Sequence, residues 1–142
     1  MNSWAFEEIE HTADIAIRVR GRSLAEMFAN AAYGMACQMV GHPVSTGTDA
    51  VGETIERTIE LTAYDAETLL VTWLGELLYL SEREECVFTE FDMVEVTASR
   101  LQAVARGGPA ATDRRHIKAV TFNDLDIVHT DAGYETTIVF DV

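Results

Sequence analysis

Three groups of residues in this chain could do chemistry. His11-Thr12-Ala13-Asp14 is a polar step between two apolar alternating stretches, and it brings an imidazole, a hydroxyl and a carboxylate within four positions. Ile138-Val139-Phe140-Asp141-Val142 closes the sequence inside an apolar alternating strand, so these residues are expected to be held in place rather than frayed. Lys118 is the only lysine in a chain whose other nine basic residues are arginine. An ammonium is a compact point charge that a planar guanidinium does not mimic at a phosphate or a carboxylate. If the last strand lies beside Asp14, the carboxylates of Asp14 and Asp141 and the α-carboxylate of Val142 crowd together. A hard divalent cation with oxygen ligands would relieve their repulsion. Each group also has an ordinary reading: an Asx or Thr turn, a strand end, and a solvated strand lysine.

Other chemistry is poorly represented. The sequence has no G-x-S-x-G, no Walker loop and no H-x-x-x-H, and no cysteine stands close to a histidine. His11, His42, His116 and His129 occur singly, as surface or turn histidines usually do. Asp124 and Asp126 share a strand face, which is the ordinary pattern of a solvated side. Cys37 and Cys86 lack C-x-x-C spacing and are read as reduced core thiols, with a single disulfide as the alternative.

Composition narrows the function classes. The net charge of −14 disfavours direct RNA or DNA binding, which depends on clustered Lys and Arg. The acidic surplus suits a divalent cation, a basic protein partner or plain solubility. No apolar run approaches the ~20 residues of a membrane span. The N-terminus has neither the basic nor the apolar region of a signal peptide, so a cytoplasmic protein is expected. At 142 residues and 48% hydrophobic content, one domain over 1–142 with a real core is expected.

The elements that must position these residues follow from periodicity. Residues 4–10 and 15–20 read as short strands. Ser23-Leu24-Ala25-Glu26 matches a capping box opening a helix that ends at Gly41-His42-Pro43. Residues 53–62 alternate as a half-buried strand with Arg57 as the exception. Asp65 caps a second helix with a wide apolar arc through Leu69, Leu70, Trp73, Leu74, Leu77 and Leu78, and 81–85 reads as its charged exit. Strands are expected over 86–91, 93–105, 117–128 and 134–142. The alternation slips near Ser99 and Arg100, which suggests a β-bulge or a bend. Residues 106–115 read as a loop, and Asp131-Ala132-Gly133 as a tight turn. The order implies α+β, with two helices packed on a mostly antiparallel or mixed sheet.

His11-Thr12-Ala13-Asp14-Ile15-Ala16-Ile17, Asp65-Ala66-Glu67-Thr68-Leu69-Leu70-Val71-Thr72-Trp73-Leu74, Glu76-Leu77-Leu78-Tyr79-Leu80, Ile117-Lys118-Ala119-Val120-Thr121-Phe122 and the terminal Phe140-Asp141-Val142 together resemble the archease family, in order and over essentially the whole chain. The resemblance implies a small α+β protein that is not itself an enzyme. It would be an accessory factor of an RtcB-type RNA ligase, promoting the ligase's guanylylation and turnover in tRNA splicing or RNA repair. It also implies a metal site, assigned to calcium in the relatives, at Asp14, Asp141 and Val142, and a functional role for Lys118. GTP and manganese would belong to the ligase. Gly75, where the family often has Asn, and Asn123, where many members have His, depart from the pattern, and the loop at 107–115 lacks a Gly-Glu pair common in relatives. Two other classes stay open: a general chaperone or modulator of tRNA-modifying enzymes, and a small metal-dependent hydrolase, for which no nucleophile-base pair stands out.

Overall fold

The computed structural model describes residues 5–9, 14–41, 54–109, 115–122 and 125–142. In chain order they form β1 (Phe6–Ile9), β2 (Ile15–Gly21), α1 (Leu24–Val40), β3 (Ile55–Thr62), α2 (Ala66–Glu84), β4 (Cys86–Val96), β5 (Arg100–Pro109), β6 (Ala119–Thr121), β7 (Val128–Thr130) and β8 (Gly133–Asp141). The expected α+β class holds, as two antiparallel sheets rather than one. The larger runs β1-β2-β8-β6, with β7 also on β8, and the smaller runs β3-β5-β4.

Local signals fix both helices. Ser23 Oγ accepts the Glu26 N–H at 3.1 Å, and the Glu26 carboxylate accepts the Arg22 N–H at 3.1 Å, one residue upstream of the usual capping-box partner. Gly41 closes α1 in the left-handed region at φ 84°, its N–H donating to the Cys37 carbonyl. Asp65 caps α2 by accepting the Thr68 N–H at 2.8 Å, which is the whole role the sequence assigned it. Hydrogen bonds from Thr68, first from its side chain and then from its N–H, hold the Asp65 carboxyl below its ordinary 3.8. Its contribution to stability is therefore present above about that pH and is lost as pH falls through the lowered folded-state value. Asp65→Asn keeps the acceptor but removes the titration, so the thermal midpoint should depend less steeply on pH below about 4. A melting series at pH 2–6 in both proteins reads the difference.

Helix α2 continues through Ser81, which is buried, and stops at Glu85, a non-glycine residue at φ 52°. The charged exit expected at 81–85 is thus the last helical turn, because Ser81 faces the core. Glu84 there accepts from Arg57. This explains why Arg57 interrupts the apolar face of β3: it points inward on an edge strand to meet the end of α2, one of the ways such edges resist pairing with another chain.

Both helices and both sheets bury side chains in one core, led by Phe28, Trp73, Phe140, Ile17 and Leu101. Trp73 Nε1 donates to the Phe28 carbonyl at 3.0 Å and so ties α2 to α1. Cys37 and Cys86 are both buried thiols outside any disulfide, as expected. Among the described residues no helix is long and apolar enough to cross a membrane. On α2, nothing lies within 4 Å of where a Gly75 Cβ would sit. Gly75→Ala should therefore stabilise the protein by about 0.5–1 kcal/mol through helix propensity alone, readable as a higher urea midpoint at unchanged slope.

Three strand expectations need correction. Residues 93–105 are not one bulged strand. β4 ends at Val96, the Thr97 N–H donates to the Arg100 carbonyl at 2.8 Å, and β5 returns with Leu101 opposite Val96. The slip in alternation is a hairpin turn, and the irregularities fall inside β4, between Phe88 and Glu90 and between Met93 and Glu95. β5 runs through Gly107 and Gly108 to Pro109, so 106–109 are strand rather than loop, and 110–114 lie outside the described residues. Among the described residues of 117–128 only β6 and the first residue of β7 are strand, and the Leu125 N–H donates to the Phe122 carbonyl at 3.1 Å. The Ile127 N–H donates to the Glu67 carboxylate of α2 at 3.0 Å.

Candidate metal centre at the end of the larger sheet

β2 and β8 pair antiparallel from Gly21↔Tyr134 to Ile15↔Phe140. Asp14 and Asp141 are the residues next to the last pair, Ile15↔Phe140, so both stand at the same end of the sheet. The strand that ends the sequence is thus the neighbour of the strand that Asp14 begins. Asp14 is half-buried, Asp141 is exposed and Val142 is 39% exposed, so the pair sits at a rim open to solvent.

Lys118 reaches the same rim. Its N–H donates to the Asp141 carbonyl at 2.8 Å, although the register partner of Asp141 is Ala119. Lys118 thus stands one residue before β6, and its side chain is exposed. Asp14, Asp141, Val142 and Lys118, the four residues singled out in the sequence, all stand at this end of the larger sheet. His11, Thr12 and Ala13 of the same motif lie outside the described residues, as do His42, Asn123 and Asp124.

The backbone adds to the field at this end. β2 passes through Gly21 and Ser23 directly into α1, which packs back along it; α1 is ~26 Å long by helical rise and β2 ~23 Å by strand rise. The C-terminal turn of α1 accordingly returns to the end where Asp14 lies. That turn carries no basic residue of its own, and its carbonyls present partial negative charge.

The donors present are carboxylate and main-chain oxygens. Among the described residues no three His, Cys, Asp or Glu side chains gather, so a metal site at Asp14 and Asp141 would need main-chain oxygens and water to complete it. Oxygen-only donors at an open rim fit a hard cation such as calcium, which takes six to eight oxygens in flexible geometry, better than zinc. Sequence reasoning missed Arg115, His116 and Ile117, which the structure places between this rim and the two helices. The one signal available was the apolar Ile117 beside charged neighbours.

The sequence pattern of the archease protein family (MTH1598/TM1083) matches residues 6–142. Protein archease of Methanosarcina mazei is 37% identical over 145 residues, covering 96% of this chain and 95% of its own. Protein archease of Saccharolobus islandicus is 40% identical over 143 residues, covering 97% and 99%. The solution structure of Methanobacterium thermoautotrophicum protein 1598 superposes with a TM-score of 0.73 at 28% identity, over 97% of this chain and 99% of that one. The crystal structure of a Thermotoga maritima archease, described as a possible chaperone, shares the fold with a TM-score of 0.64 at 21% identity, over 96% of each chain. The family pattern over 6–142 and the relatives at 37% and 40% identity show that the chain belongs to the archease family.

Proposed function

We propose that this protein is an accessory factor of an RtcB-type RNA ligase, promoting the ligase's guanylylation and turnover without converting a substrate of its own. The observation that carries the reading is the convergence of Asp14, Asp141 and the Lys118 main chain at one rim of the larger sheet. Asp14 and Asp141, with a main-chain oxygen of Val142, would hold a divalent ion, most simply calcium. A bound ion would supply positive charge to a nucleotide phosphate or an active-site acid of the ligase. Lys118 offsets negative charge at the same place. The acidic surface steers this rim toward the basic cleft that an RNA ligase needs for its own substrate, and it keeps the protein from competing for RNA. GTP and manganese stay with the ligase.

A general chaperone of tRNA-modifying enzymes is the second reading, and the description of the Thermotoga maritima relative as a possible chaperone favours it. The two readings differ in what Asp14 does. A ligase-specific factor raises the number of ligation turnovers per ligase and loses that effect in Asp14→Asn. A general chaperone serves several unrelated clients and tolerates the change. Multiple-turnover ligation of RNA ends bearing 2',3'-cyclic phosphate and 5'-hydroxyl, with wild type and Asp14→Asn compared, separates them. A small metal-dependent hydrolase is the weakest reading, because two carboxylates at an open rim supply no nucleophile-base pair.

A further inference from the structure

Residues 115–118 are tied to three elements within four positions. The Arg115 N–H donates to the Met39 carbonyl in the last turn of α1 at 2.7 Å, and Arg115 Nη1 donates to Gln38 Oε1 at 3.3 Å. Gln38 is a buried polar residue on that turn, and this bond gives it a partner. His116 Nδ1 lies 3.1 Å from Glu82 Oε1 of α2, Ile117 is 1% exposed within the core, and the Lys118 N–H is on the Asp141 carbonyl. α1 lacks a cation of its own in its last turn, and Arg115 brings one there from a distant segment. The Lys118 N–H on the Asp141 carbonyl is the last tie of this strap, one residue before β6 begins.

We propose that Arg115 and His116 are positioning residues, which hold the Lys118 main chain on Asp141 and so let the ends of α1 and α2 set where the lysine side chain starts. The consequence for activity rests on the role given to Lys118 above; the placement itself does not. A lysine side chain has four rotatable bonds, so an unpinned backbone would spread its ammonium over a wide volume, whereas a pinned one confines it to the rim.

The test is hydrogen exchange of the Lys118 backbone amide by NMR in wild type, Arg115→Ala, Gln38→Ala, their double variant and His116→Gln, beside ligase guanylylation with each. Exchange at Lys118 should rise about tenfold in Arg115→Ala and in Gln38→Ala, no further in the double variant, and several-fold in His116→Gln, while the amides of Leu74 and Leu77 stay protected. Guanylylation should fall in the same order, and Arg115→Lys, which restores charge and a donor, should recover most of both. Unchanged exchange at Lys118 in Arg115→Ala and His116→Gln overturns the placement. Raised exchange with full guanylylation overturns the positioning role. If Lys118→Ala itself keeps full guanylylation, the role of Lys118 falls, and the strap is judged on exchange alone.

Discussion

Asp14→Asn and Asp141→Asn should each lower calcium affinity by at least about a hundredfold with the fold intact, because losing even an outer-shell partner of a metal ligand costs about ten- to a hundredfold and the proposed site makes both direct ligands. Each change keeps shape and removes one of the two carboxylate charges at this end of the β2–β8 pair. Without metal the opposite effect is expected. Relieving the repulsion of paired carboxylates should leave the melting temperature of either variant equal to or above that of wild type. Calorimetric titration with calcium, and melting curves in chelator and in calcium, give both readings. Unchanged affinity in both variants would reject the ligand assignment, and a fall in metal-free stability would mean that the carboxylates are structural.

The largest loss of stability from a small change is expected at Gly107. It stands in β5 opposite Phe88, beside the irregularity in β4, and a Cβ there would overlap the Val87 carbonyl oxygen and lie 2.7 Å from the Phe88 Cα. Both neighbours are backbone, held by the β4–β5 ladder, so no rotamer change makes room. Gly107→Ala should cost about 3 kcal/mol, the upper end for overpacking, against the gain expected for the same substitution at Gly75. Urea unfolding at matched slope compares the two. A Gly107→Ala midpoint within error of wild type would mean that β4 can shift away.

The contrast between these glycines shows which parts of the fold were legible in the sequence. Ser23, Glu26 and Asp65 act on N–H groups three or four residues away, so the helix starts could be read from neighbouring residue types. β3 could be read because one face is buried and the other wet. Thr97-Ala98-Ser99 carries no Gly, Pro, Asn or Asp to mark a turn, and a hairpin that shifts the alternation by one residue looks like a bulge until the partners are known. Gly107-Gly108-Pro109 carries strong turn residues, yet Gly107 is in a strand because β4 passes too close for a side chain. At the rim, residue type and position at a strand end picked out Asp14, Asp141 and Lys118, and the archease resemblance gave them roles. Their adjacency needed the β2–β8 register. The strap was not legible, since its strongest bonds run from main-chain N–H groups of Arg115 and Lys118 to carbonyls of Met39 and Asp141. Such bonds leave no signature in residue type.

Lys118→Arg tests the accessory role most directly, since it keeps the charge and most of the stem while changing the shape of the donor. A lysine that merely solvates a strand end would tolerate Arg to within about 0.5 kcal/mol in stability and without effect on activity. The decisive measurement is the rate of ligase guanylylation at fixed GTP and manganese, with wild type, Lys118→Arg and Lys118→Ala compared. The account predicts a steep fall in both variants with calcium affinity and melting temperature unchanged; full activity in Lys118→Ala would contradict it and leave docking by the acidic surface as the better explanation.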